Sequence, residues 1–184
     1  MLNILNRQPD HDFDQPLGLL SDCHRRIEMF LGVLSRIARE RAGQPLGPEA
    51  ADAASKAMRY FAEAAPRHTA DEEDSLFPRV RAAVHERIES LAALERLRDE
   101  HETADRLHAQ VDALLAQWLH DGRLSNEHSS DLITALEQLQ VLYKGHIELE
   151  ETEVFPLAGR VLSKPALAEV GAEMRARRGL KPRT

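Results

Sequence analysis

Apolar residues recur along this chain at alternating spacings of three and four, the period of an amphipathic helix rather than of a strand. Behind Pro16 the inward stripe reads Leu17, Leu20, His24, Ile27, Leu31, Leu34 and Ala38. A second stretch gives Ala54, Met58, Phe61, Ala65, His68 and Glu72, and a third Leu94, Leu97, His101, Ala104, His108, Val111, Leu115 and Trp118. The fourth gives Leu132, Leu136, Leu139, Tyr143, His146 and Glu150. Sparse glycine and proline, at Gly43 to Pro48, Phe77-Pro78, Asp121 to Ser125 and Phe155-Pro156, separate the stretches. The pattern predicts helix A over about 16–41, B over 48–76, C over 86–119 and D over 126–154. Pro16 suits a first helical turn and Ser125 an N-cap. Pro165 to Arg178 predicts a shorter fifth helix that stops at Gly179.

Composition agrees with periodicity. Ala, Leu, Arg and Glu dominate, all good helix formers, whereas β-branched and aromatic residues are few. Four long helices with short connections predict an all-α fold, an antiparallel up-down-up-down four-helix bundle with a short C-terminal helix. At 184 residues the chain suits one domain with tails: 1–13 as an N-terminal tail, 14–160 as the bundle, and 161–184 as the short helix and a basic C-terminal tail. No apolar run approaches the roughly 20 residues a bilayer helix needs, and the start lacks a signal peptide's apolar stretch. The expected address is cytoplasmic, with no membrane partner. Residues 164–184 carry a net charge of +4, leaving −11 for the rest, and an acidic body is a poor nucleic-acid surface. That basic tail reads as a solvated helix end. The lone cysteine, Cys23, rules out an internal disulfide or a Cys-rich metal site, so any metal must be held by histidine and carboxylate.

Each inward stripe contains a histidine. His24 and His101 lie early in A and C, His68 and His146 late in B and D, and alternate helices run in opposite directions. All four therefore fall in one layer at one end of the bundle, roughly 10 to 20 Å from the helix termini at 1.5 Å per residue. Helices B and D also share a longer phrase, His68-x-x-x-Glu72-Glu73-x-x-x-Phe77-Pro78 and His146-x-x-x-Glu150-Glu151-x-x-x-Phe155-Pro156. A and C share Asp22-Cys23-His24 and Asp99-Glu100-His101. The chain reads as two helical hairpins, A-B and C-D, facing each other across a pseudo-twofold axis.

Residues four apart on a helix sit about 40° apart and one turn along, so His68 with Glu72, and His146 with Glu150, can share one centre. Glu73 and Glu151 point about 140° from their histidines, which leaves them outer-layer or surface roles. Asp71 is about 60° off His68 and is a reserve ligand, although its repeat partner is Leu149. Two buried carboxylates demand cations, and no Lys or Arg lies on the four stripes. One or two divalent metals would supply that charge.

These residues resemble the hemerythrin-like HHE cation-binding domains, over roughly residues 14–160. The likeness rests on the inward His in A, His-x-x-x-Glu in B and D with their closing Phe-Pro, and Glu-His in C. It implies that His24, His68, Glu72, His101, His146 and Glu150 are the metal ligands, with two non-haem irons bridged by the two carboxylates. The same donors also suit manganese and zinc. One departure stands out: the family's oxygen carriers place a second histidine four residues after the first on helix C, and this chain has Asp105 there. That leaves either an open position or a third carboxylate, which favours chemistry with oxygen, peroxide or nitric oxide, sensing, or iron handling over reversible oxygen storage. The alternative is a structural or sensory bundle holding zinc or a single metal without redox chemistry.

The remaining chemistry-bearing residues have blander expectations. His108 lies two turns beyond His101 and reads as a hydrogen-bonded core histidine. His11, His85, His120 and His128 read as surface residues, Cys23 as a buried or half-buried thiol, and Tyr143 as a packing residue one turn from His146. Pro66 should bend helix B just before His68.

Overall fold

The computed structural model describes residues 9–84 and 88–181 of the chain. Among these the only regular structure is helical. Helix α1 spans Pro16–Glu40, with Pro16 in its first turn. Helix B of the sequence is divided into α2 (Pro48–Glu63), α3 (Ala65–Ala70), a π-helical turn (Asp71–Leu76) and α4 (Phe77–Val84). Helix C is α5, Ile88–Asp121. Helix D comprises α6 (Asn126–Leu149), a second π-helical turn (Glu150–Val154) and α7 (Phe155–Val161). The fifth helix, α8, runs over Lys164–Arg177.

Local chemistry sets the ends. Ser125 accepts a hydrogen bond from the His128 N–H at 3.0 Å, and Ser163 accepts one from Ala166 at 3.3 Å, so each satisfies an amide that the first helical turn leaves unpaired. Gly179, at φ 67°, stops α8 in the left-handed conformation, and the Leu180 N–H donates back to the Arg175 carbonyl. The break at Ala64, just before Pro66, divides α2 from α3 as expected of a proline inside a helical stretch.

Helix B does not stop at Phe77-Pro78, nor helix D at Phe155-Pro156. The Phe77 N–H bonds the Glu72 carbonyl and the Phe155 N–H bonds the Glu150 carbonyl, five residues back rather than four. In a regular α-turn the proline ring would clash with the carbonyl four residues earlier; the wider turn relieves that clash and the rod continues.

Helix α1 packs against α2 and α6, and α5 against α6 and α2, so the four long rods form a closed square. The predicted up-down-up-down bundle is the observed fold. Because B and D extend past their prolines, the histidine layer is not at the very end of the bundle but between two apolar cores. The larger includes Ile27, Leu34, Leu115, Trp118, Leu136 and Leu139. The smaller, beyond the layer, includes Leu20, Leu76, Val80, Leu97, Ala158 and Met174.

Met174 belongs to α8, which packs on α1 and on the first π-helical turn. The basic C-terminal segment is therefore docked rather than solvated through Arg178. Gly171 is where α8 meets the N-terminal segment: a Cβ there would lie 1.9 Å from the Phe13 carbonyl oxygen. The guanidinium of Arg175 covers the Phe13 ring, 4.7 Å from its centre.

Candidate metal centre

The inward stripes bring His24, His68, Glu72, His101, His146 and Glu150 into one layer, and all six are buried. Ligand atoms of His24, His68, Glu72 and Glu150 lie within 4.8 Å of one another, and so do those of Glu72, His101, His146 and Glu150. Both glutamates belong to both groups, and each group takes its two histidines from one hairpin. The Glu72 carboxylate divides its oxygens, Oε1 lying 3.2 Å from His68 Nε2 and Oε2 3.4 Å from His101 Nε2. Glu150 Oε2 lies 2.9 Å from His24 Nε2 and 3.4 Å from His146 Nε2.

These close approaches do not satisfy the atoms involved. Although His24 Nε2 and Glu150 Oε2 are 2.9 Å apart, neither has a hydrogen bond of acceptable direction. The same holds for His101 Nε2 and for both oxygens of Glu72. Buried polar atoms are nearly always paired, so a set of imidazole nitrogens and carboxylate oxygens left unpaired around two common points fits a cation at each.

The outer nitrogens tell the complementary story. His101 Nδ1 donates to Glu73 at 2.8 Å, His24 Nδ1 to Glu151 at 3.0 Å, and His146 Nδ1 to Glu100 at 3.0 Å. With Nδ1 engaged outward, Nε2 is the nitrogen that faces inward, and once the ring is neutral this is the tautomer a metal ligand needs. Glu73 and Glu151 thus act one layer out, each bracing a histidine of the opposite hairpin. Glu100, which carried only a motif role in the sequence, braces its own hairpin's His146. The Phe of each Phe-Pro pair also crosses over: Phe155 stacks on His24 and Phe77 on His101, both with ring planes 9° apart.

Electrostatics follow from this enclosure. Burial opposes protonation of His24, but Glu150, Glu151 and Glu72 outweigh it and raise its pKa well above the ordinary value. Burial likewise opposes charge on His101, which Glu72 and Glu73 nonetheless lift to about 9. For His68 burial prevails and pushes it down to about 4. Glu72 and Glu150 stay below the usual carboxylate range because the surrounding histidines overcome the burial that would raise them.

Three other polar residues sit outside the clusters. Asp71, the reserve ligand, is fully buried but occupied: its Oδ1 accepts from Arg177 and its Oδ2 from Arg178, both at 2.7 Å. Arg177 also donates to Ser75 Oγ at 2.7 Å. Asp105 is exposed, so it contributes no third carboxylate to either group. His108 is hydrogen-bonded to Tyr143 at 3.0 Å, and burial pushes its pKa down to about 4, which keeps it neutral. Tyr143 is therefore a bonding partner as well as a packing residue.

Cys23 is half-buried, and burial pushes its thiol up to about 11, far from a reactive thiolate. Among the expected surface histidines, His120 is exposed, His128 is half-buried, and His85 lies outside the described residues. His11 keeps 37% of its side chain exposed, while its ring lies over Gly18 and its amide and Nδ1 both bond Asp22, at 2.7 and 3.1 Å.

Two comparisons bear on this arrangement. The sequence profile of the Hemerythrin HHE cation binding domain matches residues 15–158. An uncharacterized protein of Haemophilus influenzae is 27% identical over 181 residues, covering 98% of this chain and 99% of the relative.

Proposed function

This chain belongs to the hemerythrin HHE cation-binding domain family, and on that footing we propose that it holds a non-haem di-iron centre on His24, His68, Glu72, His101, His146 and Glu150. The observation that carries the reading is the sharing of Glu72 and Glu150 between two ligand groups. Carboxylates placed in both groups would serve two metals in one layer. Imidazole and carboxylate donors suit iron, and the braced Nδ1 atoms of His24, His101 and His146 supply the outer layer such sites use. A bound iron pair supplies one- and two-electron chemistry with small oxidants.

The chain's own residues shape which chemistry follows. Helix C contributes His101 and no second ligand, since Asp105 faces solvent. We read the open position as the site where oxygen, peroxide or nitric oxide is met, as a reaction partner or a signal, in a cytoplasmic protein that is not a reversible oxygen store. The two apolar cores on either side and the Phe77 and Phe155 rings exclude water from the layer. No helix among the described residues is long and apolar enough to cross a membrane.

Metal analysis and ultraviolet-visible spectra of protein purified without oxygen test the reading. Two irons per chain, with a bridged-iron spectrum appearing on controlled exposure to oxygen, are expected; a single zinc would overturn the redox part. A second reading, a sensor, is favoured by one observation. Helix α8 grips Asp71, the residue next to Glu72, so a change at the metal layer has a direct mechanical route to the C-terminal segment.

A further inference from the structure

The pseudo-twofold that relates the two hairpins is broken at one outer position. Three of the four histidines donate Nδ1–H to a carboxylate, but His68 Nδ1 is buried without a partner. The reason lies in the sequence. Helix C offers Glu100, the residue before His101, to its neighbour's His146, while helix A has Cys23 at the corresponding place before His24. A thiol is a weak acceptor and a short side chain, so it does not replace the carboxylate. Glu100 is in turn oriented by Arg96, whose Nε donates to its other oxygen at 2.8 Å.

From this asymmetry, and resting on the di-metal reading above, we infer that the two metal positions are inequivalent and fill in order. A divalent cation enters first at His101 and His146, whose imidazoles are both braced, and second at His24 and His68, where one imidazole has no outer hydrogen bond to fix its tautomer. Glu100 is the positioning residue that makes the difference. Loss of such an outer partner typically weakens metal affinity about 10- to 100-fold, which sets the expected gap.

Mutual repulsion of two cations would also weaken the second step, so stepwise binding alone does not locate the tighter position. Variants do. Metal-free protein would be titrated anaerobically with Co(II) against a competing chelator, following the ligand-field bands. His68→Ala should keep the tight first step, whereas His101→Ala should lose it, by about 10- to 100-fold. Glu100→Gln should weaken the first step of the otherwise intact protein by a similar factor, with an unchanged circular dichroism spectrum. Equal first-step affinity in His68→Ala and His101→Ala would overturn the inference while leaving a di-metal centre in place. Failure of the unaltered protein to bind Co(II) at all would instead remove the metal reading and this inference with it.

Discussion

The two hairpins carry the same phrase and support it differently. In the second, the residue before Glu150 is Leu149, an apolar side chain against the smaller core. In the first, the residue before Glu72 is Asp71, fully buried and held by two arginines that arrive from more than a hundred residues away. Both π-helical turns touch the smaller apolar core, through Leu76 and Val154, but only the first adds a charged clamp that ties the C-terminal helix to the bundle. The contrast teaches that near-equal donor geometry does not require equal scaffolding, and that the first hairpin carries an ionic clamp to the C-terminal segment where the second has an apolar contact.

The strongest way to break this contrast is to strip the clamp. Arg177→Ala with Arg178→Ala leaves Asp71 buried without its cations and should cost about 3–5 kcal/mol in urea unfolding. Asp71→Leu, which copies the second hairpin, should cost distinctly less, because no buried charge is left behind. Equal losses in the two would show that the clamp, not charge compensation, is what the fold needs. A smaller effect is expected at the N-terminal strap over α8. Gly171→Ala drives a Cβ into the Phe13 carbonyl and should cost about 1–3 kcal/mol by thermal unfolding. Gly145→Ala, in helix D of the second hairpin, meets only the Arg96 side chain at 3.6 Å and should be neutral or stabilising by up to about 1 kcal/mol.

The smallest concerns pH. The Arg79 guanidinium holds the Glu173 carboxyl below its ordinary range. A carboxylate with a lowered folded pKa contributes stability above the unfolded value near 4.5, and that contribution disappears as pH falls through the folded value. Glu173 is 42% exposed, so solvent screening limits the contribution to well under about 1 kcal/mol. The difference in urea midpoint between the unaltered protein and Glu173→Gln should shrink between about pH 6 and pH 3, with no change in metal content.

Much of this architecture is legible in the sequence because helical periodicity and histidine depth are properties of single helices. The stripes place His24, His68, His101 and His146 in one layer, and the four-residue step selects Glu72 and Glu150 as the inward acids. Contacts between helices are harder to read. Nothing local marks Glu100 as the brace of His146, since a residue one step from His101 points toward a neighbour whose identity the bundle decides. Arg177 and Arg178 look like ordinary basic residues of a tail. The signal that could have found them is Asp71 itself, a charge where the repeat has Leu149, which needs a cation from elsewhere in the chain. The continuation of B and D past their prolines had a signal too. Leu76-Phe77 and Val154-Phe155 are adjacent apolar pairs, and all four residues are buried, which a strict three-four stripe does not allow.

Those adjacent pairs give the π-helical turns a meaning beyond their hydrogen bonds. Each acts like a dislocation in a screw thread: the rod keeps its pitch on both sides, but its phase slips by one residue, about 100° of rotation. Before the slip the thread presents nitrogen and oxygen donors to the axis; after it, the same rod presents phenylalanine and aliphatic side chains to the same axis. Because B and D slip at the same depth, the bundle changes from a polar to an apolar interior across a single plane while both rods continue.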